Sequence, residues 1–230
     1  IYAYEPPMQK EEYESAIDEI MGTPVDTLFF CLGEGRTMLH DTEVGELWGH
    51  NVNKWPHIIW RRAHQNAKNL IEEGNDPLRI ICDRARKEKI LIYPSLNVQW
   101  DSAEQGEGTI WVRVSDFRWN NKHLEIGAST DVDKSFPGYG CLDFKYEEVR
   151  NERFAIVEET VNKYDVDGFD LHLNNFPYYF NPNEIDDGLN IMTEWIGKVH
   201  RTVKKSGSAR KLSIRVPNSI ETCMSLGLDI

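Results

Sequence analysis

Tyr164-Asp165-Val166-Asp167-Gly168-Phe169-Asp170-Leu171-His172-Leu173-Asn174 is the stretch on which the fold turns. Side chains alternate along a strand with period two. Phe169, Leu171 and Leu173 therefore share one face, and Asp170, His172 and Asn174 share the other. The apolar face calls for packed helices. Ahead of it, Val149, Phe154, Val157 and Val161 sit at helical spacing between Glu147 and Lys163. Behind it, Leu189, Met192, Trp195, Ile196, Val199 and Val203 predict a helix from about Asp186 to Lys205. Helix, strand, helix is the repeating order of a parallel sheet with helical crossovers.

Working outward, the same order recurs. Lys10 to Met21 reads as a helix closed by Gly22, and Val25–Leu32 as the first strand. Ile58–Glu73 and the segment opening at Asp76-Pro77 read as helices, the latter with proline at its first position. Ile90–Val98 is the second strand, Cys141–Phe144 a short third, Lys211–Pro217 the last, and Ser219–Leu226 begins a helix. Two polar excursions interrupt the order, Gly33 to about Pro56 and Trp100 to Tyr139, the second with a short hairpin expected near Thr109–Val114. Loops of that size inside a compact domain are usually functional. No linker-like break divides residues 1–230, so one domain is expected. Five strands would satisfy an open doubly wound sheet and would leave an eight-stranded barrel unfinished.

Composition narrows the partners. The 38 acidic residues outnumber 26 basic ones for a net charge of -12, which repels a polyanion such as nucleic acid. No apolar run approaches the roughly 18 residues of a membrane span. Cys31, Cys82, Cys141 and Cys223 are scattered without zinc spacing, and buried free thiols are expected in place of bridges. The chain begins at Ile1 with no basic-then-apolar leader, and its last residues suggest a chain that stops mid-fold. P-loop, GxGxxG and GxSxG signatures are absent, so neither a nucleotide cofactor nor serine hydrolysis is expected. Nothing in the pattern sets an oligomeric state.

In either parallel architecture, ligands bind outside the carboxyl ends of the strands. Polar residues crowd those ends: Tyr93, Ser95, Asn97 and Gln99 on the second strand, Asp170, His172 and Asn174 on the third strong one, Ser213 and Arg215 on the last. Polar side chains turned into a core are costly unless they meet a ligand or one another. His172 as a satisfied core histidine and Arg215 as a structural ion pair are the plainer alternatives. Trp100, Trp111 and Trp119 lie in the second excursion, with Phe176, Tyr178 and Tyr179 beyond the third strong strand. Rings beside carboxylates suit sugars, whose C–H faces stack while their hydroxyls take hydrogen bonds; rings that merely pack loops are the competing account.

These residues carry a resemblance. Leu142-Asp143, Val149-Arg150, the helix to Tyr164, the Asp165-Val166-Asp167-Gly168-Phe169-Asp170 strand, Asn174-Asn175-Phe176-Pro177-Tyr178-Tyr179-Phe180 and the Ala85-Arg86-Lys87-Glu88-Lys89-Ile90 turn resemble bacterial glycosidases of the glycosyl-hydrolase-like family 10 type. The similarity spans roughly Asp76 to Pro217. It implies an α/β fold, a (β/α) barrel of TIM type that is incomplete here, with about five of eight strands and long insertions after the first two. It also implies an extracellular or periplasmic setting and a carbohydrate substrate, a polysaccharide or oligosaccharide, cleaved by carboxylate acid/base chemistry. Asp170 would be the acid or electrostatic stabiliser and His172 would tune it. Tyr93, Asn97, Gln99, Trp100, Asn174, Tyr178 and Arg215 would bind substrate. Related sugar-active strands end in Asp-x-Asp-x-Glu, whereas this one gives Asp170-x-His172-x-Asn174, without the terminal acid. That departure supports the rival reading, a carbohydrate-binding degenerate barrel without turnover. A metal reading would need His40 or His50 to join Asp170 and His172; no ligand spacing supports it, and no metal is expected.

Overall fold

The computed structural model describes residues 1–100, 104–106, 109–110 and 112–229. In chain order the elements are α1 (Lys10–Asp18), β1 (Thr27–Glu34), β2 (Thr37–Met38), β3 (Glu46–Leu47), α2 (Ile58–Glu72), α3 (Pro77–Glu88) and β4 (Leu91–Asn97). A small hairpin, β5 (Glu104–Gly106) and β6 (Thr109–Ile110), precedes α4 (Asp116–Asn120). Then come α5 (Glu147–Lys163), β7 (Gly168–His172), α6 (Ile185–Ser206), β8 (Lys211–Arg215) and α7 (Ile220–Ser225).

Local chemistry accounts for the boundaries. Asp76 caps α3 by accepting from the Leu78 amide at 3.2 Å, with Pro77 at the first position, where its missing N–H costs nothing. Lys89 closes α3 in the left-handed conformation. The expected strand at Cys141–Phe144 does not form. Leu142 makes one antiparallel bridge to Glu125, and the amides of Asp143 and Phe144 turn to the carbonyls of Leu124 and Tyr179, so the segment is tied to loops on both sides and joins no ladder. The hairpin expected near Thr109–Val114 lies earlier, pairing Glu104–Gly106 with Thr109–Ile110. Trp111 falls outside the described residues.

The main sheet has the order β3-β2-β1-β4-β7-β8. Strands β1, β4, β7 and β8 run parallel, each beside the next in chain order, while β2 is antiparallel to β1. Among the described residues this sheet is open, with β3 and β8 at its edges, so the expected α/β class with a mainly parallel sheet is present and a closed barrel is not. Helices α1, α3, α5 and α6 share one buried cluster with Leu32, Ile92, Leu96, Phe169 and Leu171. All of these sheet residues belong to a single face. The steady strand order and one-sided helices differ from a doubly wound sheet, where the order reverses and helices cover both faces.

Cys82, Cys141 and Cys223 are buried and form no disulfide, as expected. Cys31 corrects that expectation. It is also unbridged but exposed, because its place in β1 turns it to the open face opposite the helices. Among the described residues no helix is long and apolar enough to cross a membrane.

Candidate functional site

On the open face the parallel register stacks side chains in rows. Cys31, Ser95, Asp170 and Ser213 lie abreast on β1, β4, β7 and β8. The next row, at the carboxyl ends, contains Glu34, Asn97, His172 and Arg215. Glu34 belongs there because the β1–β4 register shifts between Cys31 and Gly33. The extra residue reverses the alternation, so a side chain that strict period two would send toward the helices turns to the open face. Gly33 is required at the shift: its φ is +151° and a Cβ there would stand 2.0 Å from the Thr37 carbonyl oxygen.

Glu34 is the site residue that alternation alone misses. Arg113, on the second excursion, donates from Nη1 to its Oε1 at 2.7 Å, while Oε2 is buried with no hydrogen-bond partner among the described residues. Burial raises the carboxyl to about 7 against the opposing pull of the Arg113 guanidinium. The sequence signal is faint, a single acid between two glycines where β1 ends.

Asp170 is fully buried and held differently. Its Oδ2 accepts from Ser95 Oγ at 2.6 Å, from Arg215 Nε at 3.0 Å and from Arg215 Nη2 at 2.7 Å. Oδ1 has no partner among the described residues. Arg215 is 45% exposed, so it covers the carboxylate and presents its outer side to solvent. Beside it, His172 Nδ1 lies 2.8 Å from Asn97 Oδ1. That oxygen is an acceptor, so Nδ1 carries the hydrogen and Nε2 keeps its lone pair in the neutral ring. Burial and the nearby Arg215 charge lower the His172 pKa, with Asp170 opposing. A neutral base, an uncharged amide, a buried carboxylate and a nearly neutral-pH acid thus share one edge of the sheet.

Aromatic rings flank this row. Trp100 meets Phe176 edge-on at 5.0 Å, and the Arg113 guanidinium lies 4.7 Å over the Trp100 ring. Phe176 holds φ at +49°, a strained value for a bulky residue, of the kind that clusters at binding sites.

Other expected site residues lie elsewhere. Tyr93 sits two residues before Ser95, towards the amino end of β4, and packs its ring on Phe29 at 5.3 Å. Gln99 is fully buried and is corrected to a bracket. Its Nε2 donates to the carbonyls of Leu142 and Tyr178, and its Oε1 accepts from the amides of Leu142 and Trp100, which leaves no donor for a ligand. Tyr178 packs on Phe136 in a cluster with Ile126 and Cys141 that Phe176 also borders. Asn174 is exposed beyond the end of β7. Neither histidine of the metal reading joins Asp170. His40 is buried against Tyr164, and His50 lies beside Glu46 and Asp116.

No protein-family model and no curated protein matches the sequence. Among solved structures, the chain is similar to α-L-fucosidase isoenzyme 2 from Paenibacillus thiaminolyticus, with TM-score 0.56 and 12% identity over 94% of this chain. It also matches the type III pullulan hydrolase from Thermococcus kodakarensis at TM-score 0.37 and 15% identity over 72% of this chain. The chain spans 31% of the fucosidase and 27% of the pullulan hydrolase. At such identities the fucosidase match speaks for fold alone. It shows a fold shared with part of that enzyme and does not single out the family 10 type.

Proposed function

We propose that the protein is a glycoside hydrolase-type enzyme whose open sheet face is part of the wall of a (β/α) barrel, acting on an oligosaccharide or polysaccharide. The observation that carries this is Glu34. A carboxyl raised to about 7 beside a row of sugar-compatible polar groups is suited to protonate a glycosidic oxygen near neutral pH. Asp170, gripped by Arg215 and Ser95, suits the second role, a fixed negative charge near the oxocarbenium-like centre. The acid role expected for Asp170 thereby passes to Glu34, because Ser95 and Arg215 already occupy Asp170 Oδ2. His172 Nε2, Asn97 and the outer side of Arg215 would orient hydroxyls. Trp100 and Phe176 would stack a sugar ring.

Aryl glycosides and oligosaccharides assayed for sugar release test the proposal. Glu34→Gln is expected to lower kcat by about 10²–10⁴-fold while substrate affinity persists. Activity in the wild type should fall as pH rises through about 7, when Glu34 loses its proton. Retention of glycans by wild type with no turnover on any substrate would favour the non-catalytic carbohydrate binder.

A further inference from the structure

Away from the sheet face, Glu46 at the start of β3, His50 in the turn after β3 and Asp116 at the first position of α4 bring one ligand atom each to a common point. One ligand atom from each of the three lies within 4.8 Å of the other two. His50 Nε2 is 3.0 Å from Asp116 Oδ2 and 3.4 Å from Glu46 Oε2. Ligands bound at 2.0–2.2 Å around one small cation stand about 3.0–3.5 Å apart, so two of the three edges already fit.

The outer atom of every one of these side chains is tied back. Arg36 Nε lies 3.2 Å from Glu46 Oε1, His50 Nδ1 lies 2.9 Å from the Leu47 carbonyl oxygen, and Asn51 Nδ2 donates to Asp116 Oδ1 at 2.8 Å. Such partners orient metal ligands and fix the histidine tautomer. The tie to Leu47 has a further consequence. A carbonyl can only accept, so Nδ1 carries the hydrogen, and in the neutral ring Nε2 directs a lone pair at two carboxylate oxygens. The Asp116 amide also donates to Glu46 Oε2 at 2.6 Å, which holds the two acids side by side. A cation at that point would be met by Glu46 Oε2, His50 Nε2 and Asp116 Oδ2 together.

We propose that Glu46, His50 and Asp116 form a binding site for a divalent first-row cation, best filled by zinc. One nitrogen and two carboxylate oxygens are a donor set that zinc accepts, with a fourth position left to water. The site joins the two long excursions, since Glu46 and His50 belong to the first and Asp116 to the second. The second also carries Arg113, so the cation would hold in place the loop that reaches Glu34. The proposal is independent of the carbohydrate reading.

The test is zinc titration of the chelator-treated full chain at about pH 8. Equilibrium dialysis is expected to find zinc bound with micromolar or tighter affinity and a raised Tm, with manganese weaker. His50→Gln and Asp116→Asn should each weaken uptake at least tenfold. Asp116→Asn alters a surface side chain and keeps an oxygen for Asn51, so it carries the comparison even if His50→Gln folds poorly. Zinc should also displace the His50 Nε2 resonance in nitrogen NMR. Absence of zinc uptake, or uptake equal in wild type and Asp116→Asn with His50 unmoved, overturns the proposal and leaves the three side chains as a surface hydrogen-bond cluster.

Discussion

Phe169 and Asp170 are adjacent in β7, both are buried, and they answer to opposite rules. Phe169 and Leu171 enter a contiguous cluster under α5 and α6, where any well-shaped apolar group gains by leaving water. Asp170 and His172 face the uncovered side, where each polar atom must be matched individually. Asp170 is matched on one oxygen and, among the described residues, has no partner on the other. Glu34 extends the contrast within the open face: its single arm from Arg113 does not offset burial, and its carboxyl sits near 7. The helix side of the sheet is built for stability, whereas the open side holds groups whose charge state depends on a few neighbours.

The comparison can be broken most forcefully at Phe169. Phe169→Ala should cost about 3–5 kcal/mol in urea unfolding through the cavity it leaves, while activity per folded molecule stays unchanged. Lost activity in the folded fraction would mean that the two faces are not separable.

Next in size are two pH effects of opposite sign. Glu34 has a folded pKa of about 7 against an ordinary 4.5, so the native state holds the extra proton between those values and stability falls as pH rises across them. Glu34→Gln should therefore become more stable relative to wild type between pH 4.5 and 7, by up to about 3 kcal/mol in denaturation midpoints followed against pH. His40, buried beside Tyr164, is lowered by that burial from 6.5 to about 4. Here the unfolded chain takes the extra proton, so stability is complete above 6.5 and is lost as pH falls towards 4, by a similar amount. Replacing His40 by Asn should flatten the acid limb that Glu34→Gln leaves exposed.

A smaller effect is expected at Arg215. Removing it by Arg215→Ala leaves the buried Asp170 carboxylate with Ser95 alone, at a cost of about 1–3 kcal/mol given the exposure of the arginine. Adding Asp170→Asn should recover part of that loss in a double-mutant cycle. The smallest change belongs to Trp100→Ala, which should raise KM about five- to tenfold through lost ring stacking, with little change in kcat.

Much of the framework was legible along the chain. The helix over Glu147–Lys163 formed where the spacing put it, and the strand that alternation extends over Asp167–Asn174 formed at Gly168–His172. Cys141–Phe144 has strand-like composition, yet its backbone partners are loops at Leu124 and Tyr179, a choice that no local pattern contains. Gln99 alternates with its neighbours as a ligand-binding residue would, and is consumed by backbone groups of two distant segments. Glu46, His50 and Asp116 converge across about one third of the chain, without a spacing motif to announce them.

Sequence alone determined the alternation of apolar and polar side chains, the order of the four parallel strands and the helices between them, and the face that helices would cover, because these depend on periods of two and 3.6 residues within one segment. Tertiary structure alone decided that Glu34 turns to the open face and holds its proton near neutrality. The turn comes from a register shift against β4 and the proton affinity from burial beside Arg113, 79 residues away. Pairing register and desolvation are sums over neighbours in space, and the order of residues along a chain does not specify who those neighbours are.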